Sequence, residues 1–495
     1  MSLVGGLLVV VAAWLTGRAL LPGRAALERS IWEESCLAYV AGCSALVAAA
    51  MLLTWAGLPF GAPLAWGLLV AGAGAGAWRL RRDRAAALRP APGSRRTHLL
   101  LGALAAGSVV GSLVFPLNEF DAILHFALKG RALFFGASVG GPAFTGVLGD
   151  FGRIMTHPNY PLGIPFLEAF SAHAGFGWSE RWVQLPLAFW SACIPGLVAL
   201  GLRPWGARAA IAGALMAACT PMLVVRDLFA DWPFNLIDAG LGADTMLGGR
   251  GDLALAATSA AACALLLRAR RSGSLATGGL AGLCLAGGVL MKNEGMAVLV
   301  VVAIAQGIVL LLPGPRPWKP VAVTLAAGLL LAAPWLLHRT ELPAIAENYA
   351  EHLTIERLGA AFQPELAEQE LFGHRAFEES ASAEGRARAA VVAEYFATEA
   401  FDLVSWALLW PLFLLAVPLR LRPGSEDRRW LALVVLGTLA AYALILLVTP
   451  WYLPSLRATG IPERLMLHLV GPAAMVVGAA LAAAAPADRA ASMSG

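Results

Sequence analysis

Asp121, His125 and Lys129 follow one another at four-residue intervals. On a helix that spacing aligns an acid, an imidazole and an amine along one stripe. Glu119 and Arg131 flank them in FPLNEFDAILHFALKGRALFFG, a stretch that begins as an apolar run ends. Ionisable residues recur at the ends of other apolar runs. His157 and Tyr160 lie in THPNYPLGIPFLEAF, Asp252 in GADTMLGGRGDLALAAT, Lys292 and Glu294 in GGVLMKNEGMAVL, and Arg464 in WYLPSLRATGIPERLMLHL. An acid in such a set can take the proton of an attacking hydroxyl. Fixed cations can hold a phosphate and stabilise the charge that develops as its bond breaks. Acids and cations gathered on one side of a membrane therefore suit transfer from a phosphate-linked donor. Each group also has a plainer reading. Lys129 and Arg131 can reach lipid headgroups from an interfacial helix, and the prolines around His157 can simply build a turn. Asp252 can be a favourable acid at a helix N-terminus. Lys292 and Glu294 can form a polar hairpin turn, and Arg464 can snorkel.

The elements that must position these residues are apolar helices. The 495-residue chain is 59% apolar and only 14% charged, with a net charge of +4; soluble domains carry roughly 25% charged residues. That balance predicts an all-α polytopic membrane protein and argues against nucleic acid as a partner. Thirteen apolar runs approach the ~20 residues a span needs: 3–21, 36–56, 62–79, 98–117, 182–202, 209–225, 253–267, 277–291, 295–312, 320–337, 400–419, 430–448 and 464–485. The first has no basic residue before Arg18, which favours an uncleaved span over a signal peptide. With thirteen spans, the arginine clusters at 18–29, 79–96, 203–208, 268–271, 316–319 and 420–429 all fall on one side. The positive-inside rule makes that side cytoplasmic. The apolar segment 160–177 carries two prolines, Glu168 and His173; if it crossed, every later cluster would invert, so it reads as a re-entrant or interfacial helix. Two large outer loops follow, 118–181 and the Glu/Ala-rich 338–398 with His338, His352 and His374, besides a smaller segment at 226–252. The six cysteines lie in or beside apolar runs without a CxxC pair and read as small buried side chains.

The string DAILHFALKGRAL resembles the D-A-x-x-x-W-x-x-K-A-(K/R)-A-L element of bacterial membrane glycosyltransferases of the GT-C superfamily. HPNYPLGIPFLEAF is similar to the H-x-x-Y-P-x-L-x-P segment that follows it, and GRGDLALA, LMKNEG and ERLMLHLVGPA resemble later elements in order. The broader relatives are protein O-mannosyltransferases, the lipid A aminoarabinose transferases and the RgtA/B/C/D-like enzymes. The resemblance covers roughly 98–475 and leaves three additional N-terminal helices in 1–97. It implies a GT-C-type fold with a core at 98–338, an extracytoplasmic loop at 339–398 and C-terminal spans in 399–495. Phe126 stands where the family has Trp, and His125 where an apolar residue is usual.

Such enzymes pass a sugar from a polyprenyl-phosphate carrier to an acceptor at the outer face of the bacterial cytoplasmic membrane. The resemblance therefore implies Asp121 as catalytic base, with Glu119 as its competitor. His125, Lys129, Arg131, His157, Tyr160, Asp252, Lys292, Glu294 and Arg464 become substrate-binding candidates. The acceptor would be a lipid, a glycan or a protein. No cofactor is required on this reading, and a divalent cation is the alternative; Asp121 is followed by Ala122 rather than by a second acid, which counts against a metal held by paired acids. Two other functions compete. A surface-polysaccharide ligase or polymerase would place essential arginines in the second outer loop, where Arg357, Arg375, Arg386 and Arg388 lie. A secondary transporter would show inverted repeats and charges in broken helices at the membrane midplane.

Overall fold

Small residues decide how closely the first helices approach. In the computed structural model, α1 (Ser2–Leu20) and α2 (Ile31–Trp55) cross at Gly17 and Gly42. A Cβ on Gly17 would stand 1.7 Å from the Ala38 carbonyl oxygen, and one on Gly42 the same distance from that of Ala13. Backbone-to-backbone packing of this kind drives helix association where lipid removes the hydrophobic incentive. The structure describes residues 2–23, 29–83, 93–114, 121–136, 138–139, 158–224, 251–311, 317–342, 352–363, 386–420, 426–449, 453 and 460–484. Among them all regular structure is helical.

The other helices used below are α3 (Ala62–Arg82), α4 (Arg95–Val114), α5 (Leu128–Phe134), α6 (Gly163–Ala174), α7 (Phe189–Leu202), α8 (Ala207–Ala218), α9 (Gly251–Ser272), α10 (Leu275–Met291), α11 (Glu294–Leu311), α12 (Trp318–Thr340), α13 (Arg388–Ala400), α14 (Leu409–Arg420), α15 (Glu426–Val448), α16 (Ile461–Leu467) and α17 (Val470–Ala484). Seven described segments are long and apolar enough to cross a membrane: Leu3–Leu20, Ile31–Trp55, Leu185–Trp205, Gly251–Ser272, Glu294–Leu311, Trp318–Thr340 and Glu426–Val448. α16 and α17, bent by 56°, make an eighth if counted as one broken span. This is the make-up of a multi-pass helical membrane protein. Of the thirteen expected spans, 209–225 and 400–419 break into shorter helices, and 277–291 forms a helix of 17 residues.

The bundle has two polar ends. At one, Arg18 closing α1 meets Glu34 at 2.6 Å and Asp83 at 3.0 Å, Arg29 donates to Glu34, and Arg203 meets Glu33 at 2.7 Å. Arg270 and Arg271 converge on Asp427 at 3.0 and 2.7 Å, and Arg270 also donates to Gln306. α7 and α9 run parallel, because Gly201 packs beside Ala264 while Gly471 touches both Ala260 and Ile194. The arginine groups at 18–29, 79–83, 203 and 270–271 therefore share one end, as their spacing predicted. The opposite end holds Asp252, Lys292 and Arg464.

α6 lies across that second end. Gly163 at its start packs on Leu290 and Met291, and Gly175 just past its finish packs on Gly5 of α1. Its 12 residues span only about 18 Å, and both termini sit at the same end of the bundle, so the segment does not cross. Phe60, in the α2–α3 connection, stacks edge-on against Phe166 and Phe170 and fixes it there. The described parts of the second predicted outer loop, around Arg357 and Arg388, dock at this end too. Arg388 is buried and donates to the carbonyls of Leu446 and Thr449 at 3.0 Å each, and Arg357 donates to that of Val448 at 3.4 Å. These are the last carbonyls of α15, which lack partners within the helix.

The cysteines need one correction. None of the six is in a disulfide and five are buried, but Cys219 is exposed. It caps the C-terminus of α8 where the expected span 209–225 breaks before Pro221.

Candidate functional site

Asp252 is the second residue of α9, Lys292 follows the last residue of α10, and Arg464 sits mid-way along α16. The three helix ends bring them together. The Lys292 ammonium donates to Asp252 Oδ1, and Arg464 Nε donates to Oδ2 at 3.2 Å. His468, one turn after Arg464 and at the bend between α16 and α17, reaches Oδ1 through Nε2 at 2.8 Å. Tyr442 of α15 stands behind it, its hydroxyl 3.0 Å from His468 Nδ1. Glu294, opening α11, lies 3.6 Å from Lys292 and is the more exposed acid, at 21%. Asp252 and His468 are fully buried, Lys292 and Arg464 nearly so.

Charges buried this deeply persist only when paired and hydrogen-bonded. Asp252 meets Lys292, Arg464 and the His468 imidazole, and Glu294 adds a second carboxylate beside Lys292. Both Asp252 oxygens are engaged, and the carboxylate is closed to solvent. Asp252 therefore acts as an internal counter-ion that gathers Lys292 and Arg464 at one point.

The first predicted stripe packs beside this cluster. Residues Asp121–Ala127 form a π-helical turn, followed by α5. The wider turn breaks the straight i, i+4, i+8 alignment expected of an α-helix; such turns mark functional sites more often than plain helix does. His125 and Lys129 still converge, on Tyr160. The His125 and Tyr160 rings are 5.0 Å apart; Lys129 Nζ donates to the Tyr160 carbonyl at 3.2 Å and lies 6.0 Å from its ring. Phe126, at the position of the expected Trp, packs 6.1 Å from Tyr160 and also touches Gly251, next to Asp252. Phe126 is thus the partition between the two polar groups. Beneath α5, Glu168 of α6 is fully buried, and neither carboxyl oxygen has a partner among the described residues. Burial pushes its carboxyl well above the usual carboxylate range.

The structure thus brings together Asp252, Lys292, Glu294 and Arg464, and beside them His125, Lys129 and Tyr160. Arg131 is exposed. The backbone of Asp121 opens the π-helical turn, while its side chain, Glu119 and His157 lie outside the described residues. His468 and Tyr442 were not anticipated. His468 had a legible signal, standing four residues after Arg464 inside an apolar run, and Tyr442 had none beyond a phenol inside a span. Among the described residues no group of three His, Cys, Asp or Glu side chains could hold a metal ion. An apolar groove of about 590 Å³ opens between α1, α2, α4 and α7, lined by Trp14, Trp32, Tyr39 and Phe189 among others. None of the residues of the ionic cluster lines it, and its walls carry no charged group.

No family model matches the chain, and no curated protein matches it.

Proposed function

We propose that this chain is an inverting glycosyltransferase that moves a sugar from a polyprenyl-phosphate donor to an acceptor at the Asp252 end of the bundle, and that this end faces the outside of the bacterial cytoplasmic membrane. The observation that carries the reading is the meeting of Lys292 and Arg464 on one buried carboxylate, at the edge of an apolar bundle and beside Lys129. Two cations fixed at that depth suit a phosphoryl group whose lipid tail stays in the bilayer. The resemblance of DAILHFALKGRAL and ERLMLHLVGPA to GT-C elements supports the same reading, as does the opposite arginine-rich end, which the positive-inside rule assigns to the cytosol.

In this mechanism Asp121, or Glu119 in its place, accepts the proton of the acceptor hydroxyl. The freed oxygen attacks the anomeric carbon, and the bond from that carbon to the phosphate oxygen breaks. The electron pair leaves with polyprenyl phosphate. Lys292 and Arg464 stabilise that leaving group, which needs cations more than a proton donor. Arg131, exposed on α5, together with Tyr160 and Lys129, would meet the sugar or acceptor, and His157 stays a candidate from its motif alone.

The ligase or polymerase reading draws less support, because Arg357 and Arg388 are engaged with the terminal carbonyls of α15 and Arg386 pairs with Glu394. The transporter reading is weakened by position: Asp252 and Lys292 sit at helix ends rather than at mid-helix breaks. Asp121→Asn, assayed with a radiolabelled polyprenyl-phosphate sugar in membranes, should lower turnover about a thousandfold. Wild-type-like transfer by the folded variant removes Asp121 as base.

A further inference from the structure

The sequence motifs account for Asp252, Lys292 and Arg464 but not for the two residues behind them. Asp252 Oδ1 takes a hydrogen from Lys292 and faces His468 Nε2 at 2.8 Å. An ionised carboxylate only accepts, so His468 must carry its hydrogen on Nε2. A neutral ring then has Nδ1 as its acceptor, and the Tyr442 hydroxyl, 3.0 Å away, must donate to it. With a neutral ring the order of donation runs one way, Tyr442 to His468 and His468 to Asp252. All three are fully buried, so water does not substitute for any link.

The elements explain why the chain is rigid. Arg464 and His468 lie four residues apart and so share one face of α16. The 56° bend just after them turns α17 away and leaves that face directed at α9. Tyr442 comes from α15, a separate span, and its ring also meets the His468 ring edge-on, with centroids 5.7 Å apart.

We propose that His468 and Tyr442 are positioning residues, which fix the rotation of the Asp252 carboxylate so that Lys292 and Arg464 present their charges together to a phosphoryl-class anion. The proposal rests on the lipid-phosphate reading above. A carboxylate held only by its two cations could turn and release one of them. A carboxylate also gripped by an imidazole N–H, itself gripped by a phenol, keeps Oδ1 towards Lys292 and Oδ2 towards Arg464. Hydrogen bonds to charged groups are the strong ones, and losing one in a dry site costs most.

The test uses the full chain in detergent micelles, with decaprenyl phosphate as probe and binding read by calorimetry. Glutamine places an amide N–H near the position of Nε2, whereas asparagine places it near that of Nδ1. His468→Gln should stay within about threefold of wild type, while His468→Asn and Tyr442→Phe weaken binding about tenfold. Equal binding by His468→Asn and wild type, or equal loss in His468→Gln and His468→Asn, overturns the proposal; the two amides also differ by a methylene, so the tautomer below separates the hydrogen bond from packing. Tyr442→Phe keeps its ring and guards against a misfolded histidine variant. Nitrogen-15 spectra of histidine-labelled protein add a readout independent of any ligand: His468 should be the Nε2–H tautomer, with an Nδ1 resonance that moves in Tyr442→Phe. An Nδ1–H tautomer refutes the positioning role outright. Wild-type protein indifferent to decaprenyl phosphate instead refutes the lipid-phosphate reading, and the tautomer then decides the positioning role by itself.

Discussion

α9 carries a buried ionic network at each end, and the two differ in kind. Asp252 and Arg270 stand on the same helix about 27 Å apart at 1.5 Å per residue, close to the ~30 Å of a bilayer's hydrocarbon core. At the Arg270 end, the acid is shared by neighbouring arginines and partly wet: Asp427 is 18% exposed and Arg271 36%. Further along the same end, Arg18, Arg29 and Arg203 each answer an acid in or beside α2, either Glu33 or Glu34. Those pairs tie adjacent helix ends to one another, Arg18 and Arg29 sharing Glu34 while Arg203 holds Glu33. At the Asp252 end, Lys292, Arg464 and His468 reach one dry carboxylate, with Tyr442 behind His468. Dryness separates the Asp252 network from the Asp427 network: a cation held out of water attracts an incoming anion more strongly than one screened by solvent.

Removing the acid at each end should expose that difference most strongly. Asp252→Asn leaves Lys292 and Arg464 buried without a counter-ion, a change that costs about 3–5 kcal/mol. It should lower the melting temperature in detergent sharply and abolish transfer. Asp427→Asn at the other end should cost about 1 kcal/mol or less, because part of that network is open to water, and should leave turnover unchanged. Comparable losses in the two variants would erase the distinction. Next in size is Lys292→Met, which keeps the stem and removes the charge. Its expected effect is about a hundredfold loss of turnover, with the melting temperature moving less than in Asp252→Asn. If turnover survives, Lys292 belongs to the scaffold and not to the site.

Much of this was legible in the chain because water and lipid sort residues so differently. A charge that interrupts an apolar run is conspicuous, and Asp252, Lys292, Glu294 and Arg464 were all visible for that reason. The shared end of the arginine groups followed from the same contrast, and so did the non-crossing path of 160–177, whose prolines, Glu168 and His173 fit a span poorly. What stayed hidden was hidden by ambiguity. Alanine- and glycine-rich runs such as 209–225 read as continuous, although one helix ends at Ala218 and another begins at Pro221. Four-residue spacing presumes an α-helix, so the π-helical turn at Asp121–Ala127 could not be foreseen. Tyr442 looks like any aromatic in a span until His468 is placed beside it.

Glu168 sharpens the comparison from a third direction, with the smallest expected effect. It lies at the Asp252 end, yet among the described residues its carboxyl oxygens meet no cation and no hydrogen-bond donor. Burial raises its pKa in the folded protein. An acid in that condition holds its proton more tightly folded than unfolded. Below the ordinary carboxylate range both states are protonated and the residue is neutral towards pH. As pH climbs from that range towards the elevated folded value, the unfolded chain ionises first, and stability falls. Glu168→Gln keeps the shape and cannot ionise, so it should remove that fall. Melting curves at about pH 3.5, below the ordinary glutamate range, should nearly coincide for variant and wild type, while at pH 8 the variant should melt higher by about 2–4 °C. A variant that melts lower at pH 8 would mean that the carboxylate is ionised and held by a partner, and the Asp252 end would then possess a second anchored acid.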